Sequence, residues 1–252
     1  MGKIITIVNQ KGGVGKTTTA VNLATALAIF ERKTLLVDLD PQGNATSGLG
    51  IDKEKLELHS YDLFLDKSNT EKAIIKTDIE NLHVIGSNID LTGAEIELVR
   101  EFAREHKLKE ALITIKDKYE YILIDCPPSL GLLTVNALTA CTDIIIPIQC
   151  EYFALEGVGQ LLNTVRLIQK NLNPELNILG VLLTMYDKRL NLANQVVMEV
   201  KNHFKEKVFD SFVVRNIKLS EAPSFGKSIM HYDIKSLGAQ NYLHLAEEVI
   251  KR

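Results

Sequence analysis

The sequence predicts an α/β fold, a single doubly wound, mainly parallel β-sheet with helices on both faces. Apolar runs rich in β-branched residues recur along the 252-residue chain, and segments of helical length separate them. No repeat, low-complexity tract or linker divides the chain, so we expect one domain over residues 1–252. The predicted strands are Ile4–Val8, Thr34–Val37, Leu82–Ile85, Tyr121–Ile124, Asp143–Ile148, Ile178–Thr184 and a weaker Phe209–Val214.

The predicted helices lie between these strands, as crossover connections in a parallel sheet require. The polar stretch Gly50–Asn81 is the segment in which we expect irregular structure. Ligands of such sheets bind at the carboxyl ends of the strands, so residues that follow a strand are the first candidates for a functional site. The predicted helices are Lys16–Phe30, Leu91–Lys118, Gly131–Thr139, Leu155–Asn171, Leu192–Phe204 and Leu237–Lys251.

Composition limits the compartment and the redox chemistry. The chain begins almost directly with an apolar strand and has no apolar run near the roughly 18 residues of a membrane span. We therefore expect a cytoplasmic protein without a signal peptide. The odd number of cysteines has no metal-binding spacing, and each cysteine lies in an apolar stretch. We expect buried, reduced thiols at Cys126, Cys141 and Cys150.

The distribution of charge is more informative than the net charge of −3, which argues against a uniformly basic nucleic-acid binder. Between Lys188 and Lys227 there are eight basic and four acidic residues, a local balance of +4, so the rest of the chain carries −7. A basic face on an acidic body is typical of contact with a phosphate backbone. The alternative is an ordinary solvated helix surface.

A glycine-rich segment between the first predicted strand and helix has the features of a phosphate-binding loop. Residues 10–18 read Gln-Lys-Gly-Gly-Val-Gly-Lys-Thr-Thr. Glycine permits the turn in which backbone N–H groups converge on phosphate oxygens, and the helix N-terminus adds about half a positive charge. The flanking strand and helix favour a nucleoside triphosphate site, with Lys16 on the β- and γ-phosphates and Thr17 on Mg²⁺. The predicted nucleotide contacts are Gly12, Gly13, Val14, Gly15, Lys16, Thr17 and Thr18, while the adjacent Lys11 is either one more contact or a solvated lysine on a turn.

The alternative is a chance cluster of glycines, because Gln10 stands where the usual pattern has its first glycine. Two carboxylates at strand ends argue against chance. Asp40 follows the second strand, where it is placed to orient water or hold Mg²⁺, or simply to cap a turn. Asp125 ends the strand Tyr121–Ile124, as a metal-binding aspartate does, or it caps a helix. Asp38 is predicted to be structural.

Four motifs in chain order carry a resemblance to a known family. Residues 11–18 resemble the signature of the deviant Walker A ATPases, a group that includes ParA-type partition proteins, MinD and the nitrogenase iron protein. Residues 38–44 and 124–129 resemble the two switch segments of ParA-type ATPases. The block Arg-Asn-Ile-Lys-Leu-Ser-Glu-Ala-Pro-Ser-Phe-Gly-Lys at 215–227 is similar to chromosomal ParA, or Soj, proteins. One departure is Val214, where the family more often has proline.

The resemblance implies an ATPase with ATP and Mg²⁺ as its ligands, weak alone and stimulated by DNA and a ParB-type centromere-binding partner. It implies catalytic roles for Lys11, Lys16 and Asp40, with Lys11 crossing the interface of an ATP-bound homodimer. Metal contacts are expected from Thr17, Asp40 and Asp125, and contacts to the base from Met185 and Asn216. Non-specific binding of double-stranded DNA, and hence association with the nucleoid, is expected from Arg189, Arg215, Lys218 and Lys227.

Two other readings share the fold. A MinD-type membrane-cycling ATPase requires a basic amphipathic C-terminal helix, whereas residues 243–252 are acidic in their last full turn and resemble a packing helix. We therefore expect no stable membrane association. A ligase or an iron-protein reductase is the other alternative. The reductase requires cluster-binding cysteines, and Cys126 lies too near the predicted metal-binding strand for that role.

Overall fold

The computed structural model describes residues 2–151 and 158–252, which form one eight-stranded sheet with the order β3-β4-β2-β5-β1-β6-β7-β8. Every neighbouring pair is parallel except β3 and β4, which are antiparallel at one edge. The predicted fold class is confirmed. The strands are β1 Lys3–Ile7, β2 Thr34–Asp38, β3 Ile74–Lys76, β4 Leu82–Ile85, β5 Tyr121–Asp125, β6 Asp143–Gln149, β7 Asn177–Tyr186 and β8 Val208–Val214.

Helices cover both faces of the sheet, because the central strands are apolar on both sides. The α-helices are α1 Lys16–Ile29, α2 Asn44–Gly48, α3 Asp62–Leu65, α4 Leu91–Glu97, α5 Lys107–Ile113, α6 Leu132–Ala140, α7 Val158–Asn171, α8 Asn191–Phe204, α9 Ile217–Glu221, α10 Ile229–Asp233 and α11 Leu237–Lys251.

Alternation along each strand separates two hydrophobic cores. Ile122 and Ile124 of β5 point into a core closed by α4 to α8. Leu123 of the same strand points into the opposite core, which α1, α10 and α11 close. This sandwich places the carboxyl ends of β1, β2 and β5 side by side at one edge of the molecule.

The predicted helix Leu91–Lys118 is wrong as a single element. The structure divides it into α4 and α5, with 3₁₀ turns at 98–100, 104–106 and 116–118. Glu101 is extended and Ala103 has a left-handed φ of 51°, so the helix is interrupted between them. Apolar periodicity continued through this segment because residues on both sides of the break, such as Leu98 and Leu108, are buried in the same core.

Other differences are smaller. The short edge strand β3 lies inside the stretch that was predicted to be irregular, and α2, α3, α9 and α10 were not predicted. Residues 155–157 of the predicted helix Leu155–Asn171 lie outside the described residues, and the remainder is α7. The three cysteines are buried free thiols, as expected.

The C-terminal helix α11 is a packing element. Its apolar side, including Tyr242 and Leu245, is buried against α1 and β8, and the Tyr242 hydroxyl lies 3.2 Å from the Thr19 hydroxyl. The final guanidinium, on Arg252, donates to the carbonyl oxygen of Leu179 at 2.6 Å and stacks 4.3 Å from the Phe209 ring centroid. None of the helices in the described ranges has the length and apolar content needed to cross a membrane.

A buried amide holds the interrupted segment in place, and we predict that it is needed for stability. Asn136 donates to the carbonyl oxygens of Arg104 and Leu132 and accepts from the Leu108 N–H. Asn136→Ala should lower the free energy of unfolding by about 2–4 kcal/mol, because buried backbone groups lose their partners. Urea denaturation measures this. The exposed Asn163→Ala is the control, and equal midpoints for the two variants would contradict the prediction.

Candidate functional site

The site is built where three parallel strands end together. Asp125 at the end of β5 lies opposite Ile7 of β1 on one side and opposite Asp38 of β2 on the other. The two aspartates therefore project to the same face of the sheet edge, directly beside the loop that joins β1 to α1. Both are fully buried.

The glycine-rich loop is held by buried polar side chains on either side of it. The Asn9 amide donates to the Pro147 carbonyl oxygen at 2.7 Å, while its Oδ1 accepts from the Lys11 N–H at 3.0 Å. From β7, the Thr184 hydroxyl donates to the Val14 carbonyl oxygen at 2.8 Å. Sequence reasoning missed Asn9 and assigned no role to Thr184. The signal was present, since each is a polar residue at the end of an apolar strand.

Glycines are required where the loop turns into the helix. Gly13 and Gly15 have left-handed φ values of 74° and 87°, and Gly15 is the N-cap of α1. With no capping side chain, the first N–H groups of α1 face the space above the loop. An anion is the natural partner for them.

Lys16 carries a buried ammonium group at the start of α1. Its Nζ donates to the Lys11 carbonyl oxygen at 3.1 Å. Burial lowers the pKa of Lys16, and the negative charges of Asp125 and Asp40 oppose part of that shift. A cation that is 7% exposed and has one neutral hydrogen-bond acceptor is poised for an anionic ligand.

Asp125 lacks its own hydrogen-bond partners: neither carboxylate oxygen accepts a bond from any residue in the described part of the chain. Burial and the charge of Asp38 raise the pKa of Asp125, while Thr17 and Lys16 oppose part of the rise. A buried, unpartnered carboxylate beside a threonine hydroxyl fits a hard divalent cation. Mg²⁺ is usually held by one or two carboxylates and keeps several waters, so phosphate oxygens and water would supply the other ligands.

Asp38 and Asp40 have different surroundings. The Asp38 carboxylate accepts bonds from the Thr46 N–H at 2.9 Å, the Thr46 hydroxyl at 2.7 Å and the Asp40 N–H at 3.1 Å. Burial nevertheless raises the pKa of Asp38 to about 6. These bonds support the structural role predicted for it. Asp40 Oδ1 accepts from the Gln42 N–H at 3.0 Å, so Asp40 does cap the turn while facing Lys16.

A cavity of about 490 Å³ opens beside the loop and brings together residues far apart in sequence. Gly15 and Thr18 line one side, and Met185 and Asn216 line the other. Met185 has a left-handed φ of 51°, which is uncommon for a residue other than glycine. Such strained backbone conformations are concentrated at ligand-binding sites. Both residues predicted to contact the base therefore lie beside the phosphate loop. Tyr242, which also lines the cavity, was not predicted.

Comparison with known proteins identifies the family. Residues 2–178 match the AAA domain family AAA_31. Over 249 residues the sequence is 60% identical to the sporulation initiation inhibitor protein Soj of Bacillus subtilis, covering 99% of this chain and 98% of that protein. It is 54% identical over 252 residues to the chromosome partitioning protein ParA of Myxococcus xanthus, covering 100% and 89% respectively. The chain belongs to the ParA/Soj family.

A solved structure agrees with this assignment of fold. The cobyrinic acid a,c-diamide synthase of Mycobacterium smegmatis, with a bound ATP analogue and magnesium, superposes with a TM-score of 0.88 at 38% identity. The match covers 100% of this ParA/Soj family chain and 95% of that chain.

The basic residues predicted in this ParA/Soj family member to bind DNA are exposed, but most are paired. Asp187 lies between two of them: Arg189 bonds both of its carboxylate oxygens, and the charge of Arg215 also lowers the pKa of Asp187, to about 2. Arg215 is itself 3.3 Å from Glu151. Lys218 is paired with Asp233. Lys227 is exposed, and no salt bridge joins it to the described residues.

The chain just after α2 touches the segment that carries these basic residues. Gly50, two residues after α2, and Gly226, which follows the turn 222–225, both have left-handed φ values, of 78° and 62°. A Cβ at Gly226 would lie 2.7 Å from the Gly50 Cα. The two backbones are therefore in direct contact.

We predict that the ionised Asp125 destabilises the nucleotide-free protein. The folded-state pKa of Asp125 is raised above its unfolded-state pKa. Between these two pKa values the native protein holds a proton that the unfolded chain has released, so the free energy of unfolding falls as the pH rises from the lower value to the higher. Asp125→Asn should increase the free energy of unfolding by about 1–3 kcal/mol at about pH 8. The gain should shrink as the pH is lowered. Urea denaturation without nucleotide tests this. The exposed Asp117→Asn is the control, and a gain that does not depend on pH would contradict the prediction.

Proposed function

We propose that residues 1–252 form one ATPase domain that partitions DNA. In this proposal the chain binds ATP with Mg²⁺, pairs face to face with a second copy, and then binds duplex DNA without sequence selectivity. A ParB-type partner stimulates hydrolysis, which releases the DNA. The observation that carries the proposal is the buried pair beneath the phosphate loop, in which Lys16 and Asp125 each lack a full set of partners.

The residues of the loop supply the chemistry of phosphoryl transfer. The N–H groups of residues 12–18 and the Lys16 ammonium are arranged to stabilise negative charge on the γ-phosphate. Asp40, fixed by its own turn, is placed to orient water. Thr17 and Asp125, with Asp40 nearby, would hold Mg²⁺, which neutralises phosphate charge when bound. The cavity lined by Met185 and Asn216 accepts the base.

Lys11 supports the dimerisation step. Its backbone is held by Asn9 and by the Lys16 ammonium, whereas no salt bridge joins its side chain to the described residues. Two ammonium groups near one site repel each other until ATP adds its negative charge. A lysine given across an interface would then stabilise the partner's phosphates, as arginine fingers do with rate effects of about 10³–10⁵.

Lys11→Ala should abolish the ATP-dependent dimer and retain measurable ATP binding, because the rest of the loop is intact. Light scattering with ATP measures the mass, and a fluorescent ATP analogue measures binding. The exposed Lys72→Ala is the matched control. A Lys11→Ala protein that dimerises with ATP as the wild type does would refute the trans role.

DNA binding should rest on charge rather than on base recognition. Two of the four residues predicted to bind DNA, Arg189 and Lys218, are held in the monomer by Asp187 and Asp233, which weakens their attraction for phosphate. Pairing two copies doubles the basic face. Each phosphate that the dimer neutralises adds about −0.9 to the slope of log affinity against log salt concentration. This explains how a chain of net charge −3 can gain affinity for DNA only when ATP is bound.

Arg189→Ala should weaken ATP-dependent DNA binding to a similar degree on unrelated duplexes and reduce the salt slope by about 1. Gel shifts at several salt concentrations measure both quantities. The exposed Arg100→Ala is the control. Loss on some sequences with retention on others would show base contact instead.

The function as a whole is tested by ATP turnover with and without DNA and the N-terminal peptide of a ParB-type protein. We expect slow basal turnover and a marked increase when both are present. No increase would overturn the partition mechanism. The relative at 54% identity is a chromosome partitioning protein, whereas the diamide synthase is 38% identical, so partition is favoured over small-molecule ligation. Pelleting with liposomes distinguishes the MinD-type alternative.

A further inference from the structure

One exposed surface of the molecule is both apolar and acidic. It follows β4 and includes α4 and the turn after it, and we call it the α4 surface. Its apolar side chains are 58–94% exposed, so they take no part in the hydrophobic cores. Four strongly exposed apolar residues within fourteen positions of the chain are more than the scattered single residues of an ordinary surface, and such a concentration is typical of an interaction site. The members are the apolar Ile89, Ile96, Val99 and Phe102 and the acidic Glu95, Glu97 and Glu101.

The fold explains why this surface is presented outward. Leu91, Ala94 and Leu98 are buried and attach α4 to the core. Ile96 and Val99 are three residues apart, so they lie together on the opposite side. Phe102 follows the helical turns and is 94% exposed. The surface is therefore held in place from behind, with its apolar side chains facing solvent.

A small notch at the edge of the surface adds shape. It measures about 90 Å³, and its floor is apolar, formed by Phe64, Ala94 and Leu98. Its rim is polar: the Tyr61 hydroxyl donates to Glu97 at 2.8 Å, and Lys107 bonds Glu101 at 2.9 Å. The space suits a single aliphatic side chain flanked by polar or basic groups.

The charge of the surface restricts its occupant. Residues 89–107 contain five carboxylates and three lysines or arginines, a balance of −2 out of −3 for the whole chain. In a twofold dimer through this surface, the same acidic patch would face itself. Like charges disfavour that pairing, whereas a basic partner is attracted. A basic amphipathic segment matches both the apolar and the acidic side chains.

The α4 surface is also connected to the nucleotide site. Glu95 lies against the loop that follows Asp125, since a Cβ at Gly131 would be 2.4 Å from its Oε1. The segment after Phe102 is attached to α6 through Asn136, which bonds the backbone of Arg104 and Leu108. A protein bound here would touch the elements on both sides of the loop after Asp125.

We propose that the α4 surface is the docking site for a basic, amphipathic segment of a protein partner. Resting on the function proposed above, this assigns the contact through which the ParB-type partner stimulates hydrolysis. An aliphatic side chain of the partner fills the notch, and a basic residue of the partner faces Glu97, which accepts from the Tyr61 hydroxyl but has no salt bridge within the described residues. Ile96, Val99 and Phe102 provide the apolar contact.

The test uses the full chain with ATP, DNA and the fluorescently labelled N-terminal peptide of a ParB-type protein. The double substitution Ile96→Ser with Phe102→Ser should lower peptide affinity by about tenfold or more, which is the scale of interface hot spots. Peptide-stimulated turnover should fall in parallel, while basal turnover and ATP-dependent dimerisation are retained. Ile113→Ser, which changes another exposed apolar residue, is the control. Glu97→Lys should also weaken peptide binding and make the peptide affinity less dependent on salt concentration.

Each other result overturns the assignment in a distinguishable way. If the wild type is stimulated and the double variant is stimulated equally, the surface is wrong and the proposed function stands. If the double variant loses ATP-dependent dimerisation but binds the peptide normally, the occupant is a second copy. If the peptide neither binds nor stimulates the wild type, both the surface and the proposed function fail.

Discussion

Burial of opposite charges at the carboxyl edge of the sheet is the constraint on which the site depends. Asp125 is fully buried with no hydrogen-bond partner among the described residues, and Lys16 has only the Lys11 carbonyl oxygen. Isolated buried charges cost free energy, so this arrangement persists only because the packing of the surrounding elements stabilises the fold by more than that cost. The buried central strands β1, β2 and β5 provide most of that packing. A ligand that brings a cation to Asp125 and phosphate oxygens to Lys16 relieves both deficits at once.

The loop above these charges is shaped by two strands that do not belong to it. Asn9 ties it to the Pro147 carbonyl of β6, and Thr184 of β7 ties it from the other direction. The same strand β7 contains Met185, which has a left-handed backbone and lines the cavity. The proposed positions of phosphate and base thus lie on one group of neighbouring strands, which is why predicted binding residues that are distant in sequence lie together here.

Much of the fold and of the loop could be predicted because their signals are local. Seven of the strands were found as apolar runs, and the glycine pattern with its flanking strand and helix located the loop. The break in the predicted helix 91–118 depends on a contact from Asn136, which lies 28 residues from Leu108 in sequence. The edge strand β3 has only three residues, too few for a periodic signal. The pairing of Lys218 with Asp233 also requires the structure, since the two residues meet only after α9 and α10 fold together.

The contact between Gly50 and Gly226 joins two stretches of chain that have different tasks. One continues from the turn that holds Asp40, and the other runs from the cavity wall to Lys227. Because both positions are glycine, no side chain separates the two backbones. A shift of either backbone toward the other would therefore displace it. In the function proposed above, a rearrangement around the γ-phosphate would therefore reach the segment that carries Lys227 through direct backbone contact.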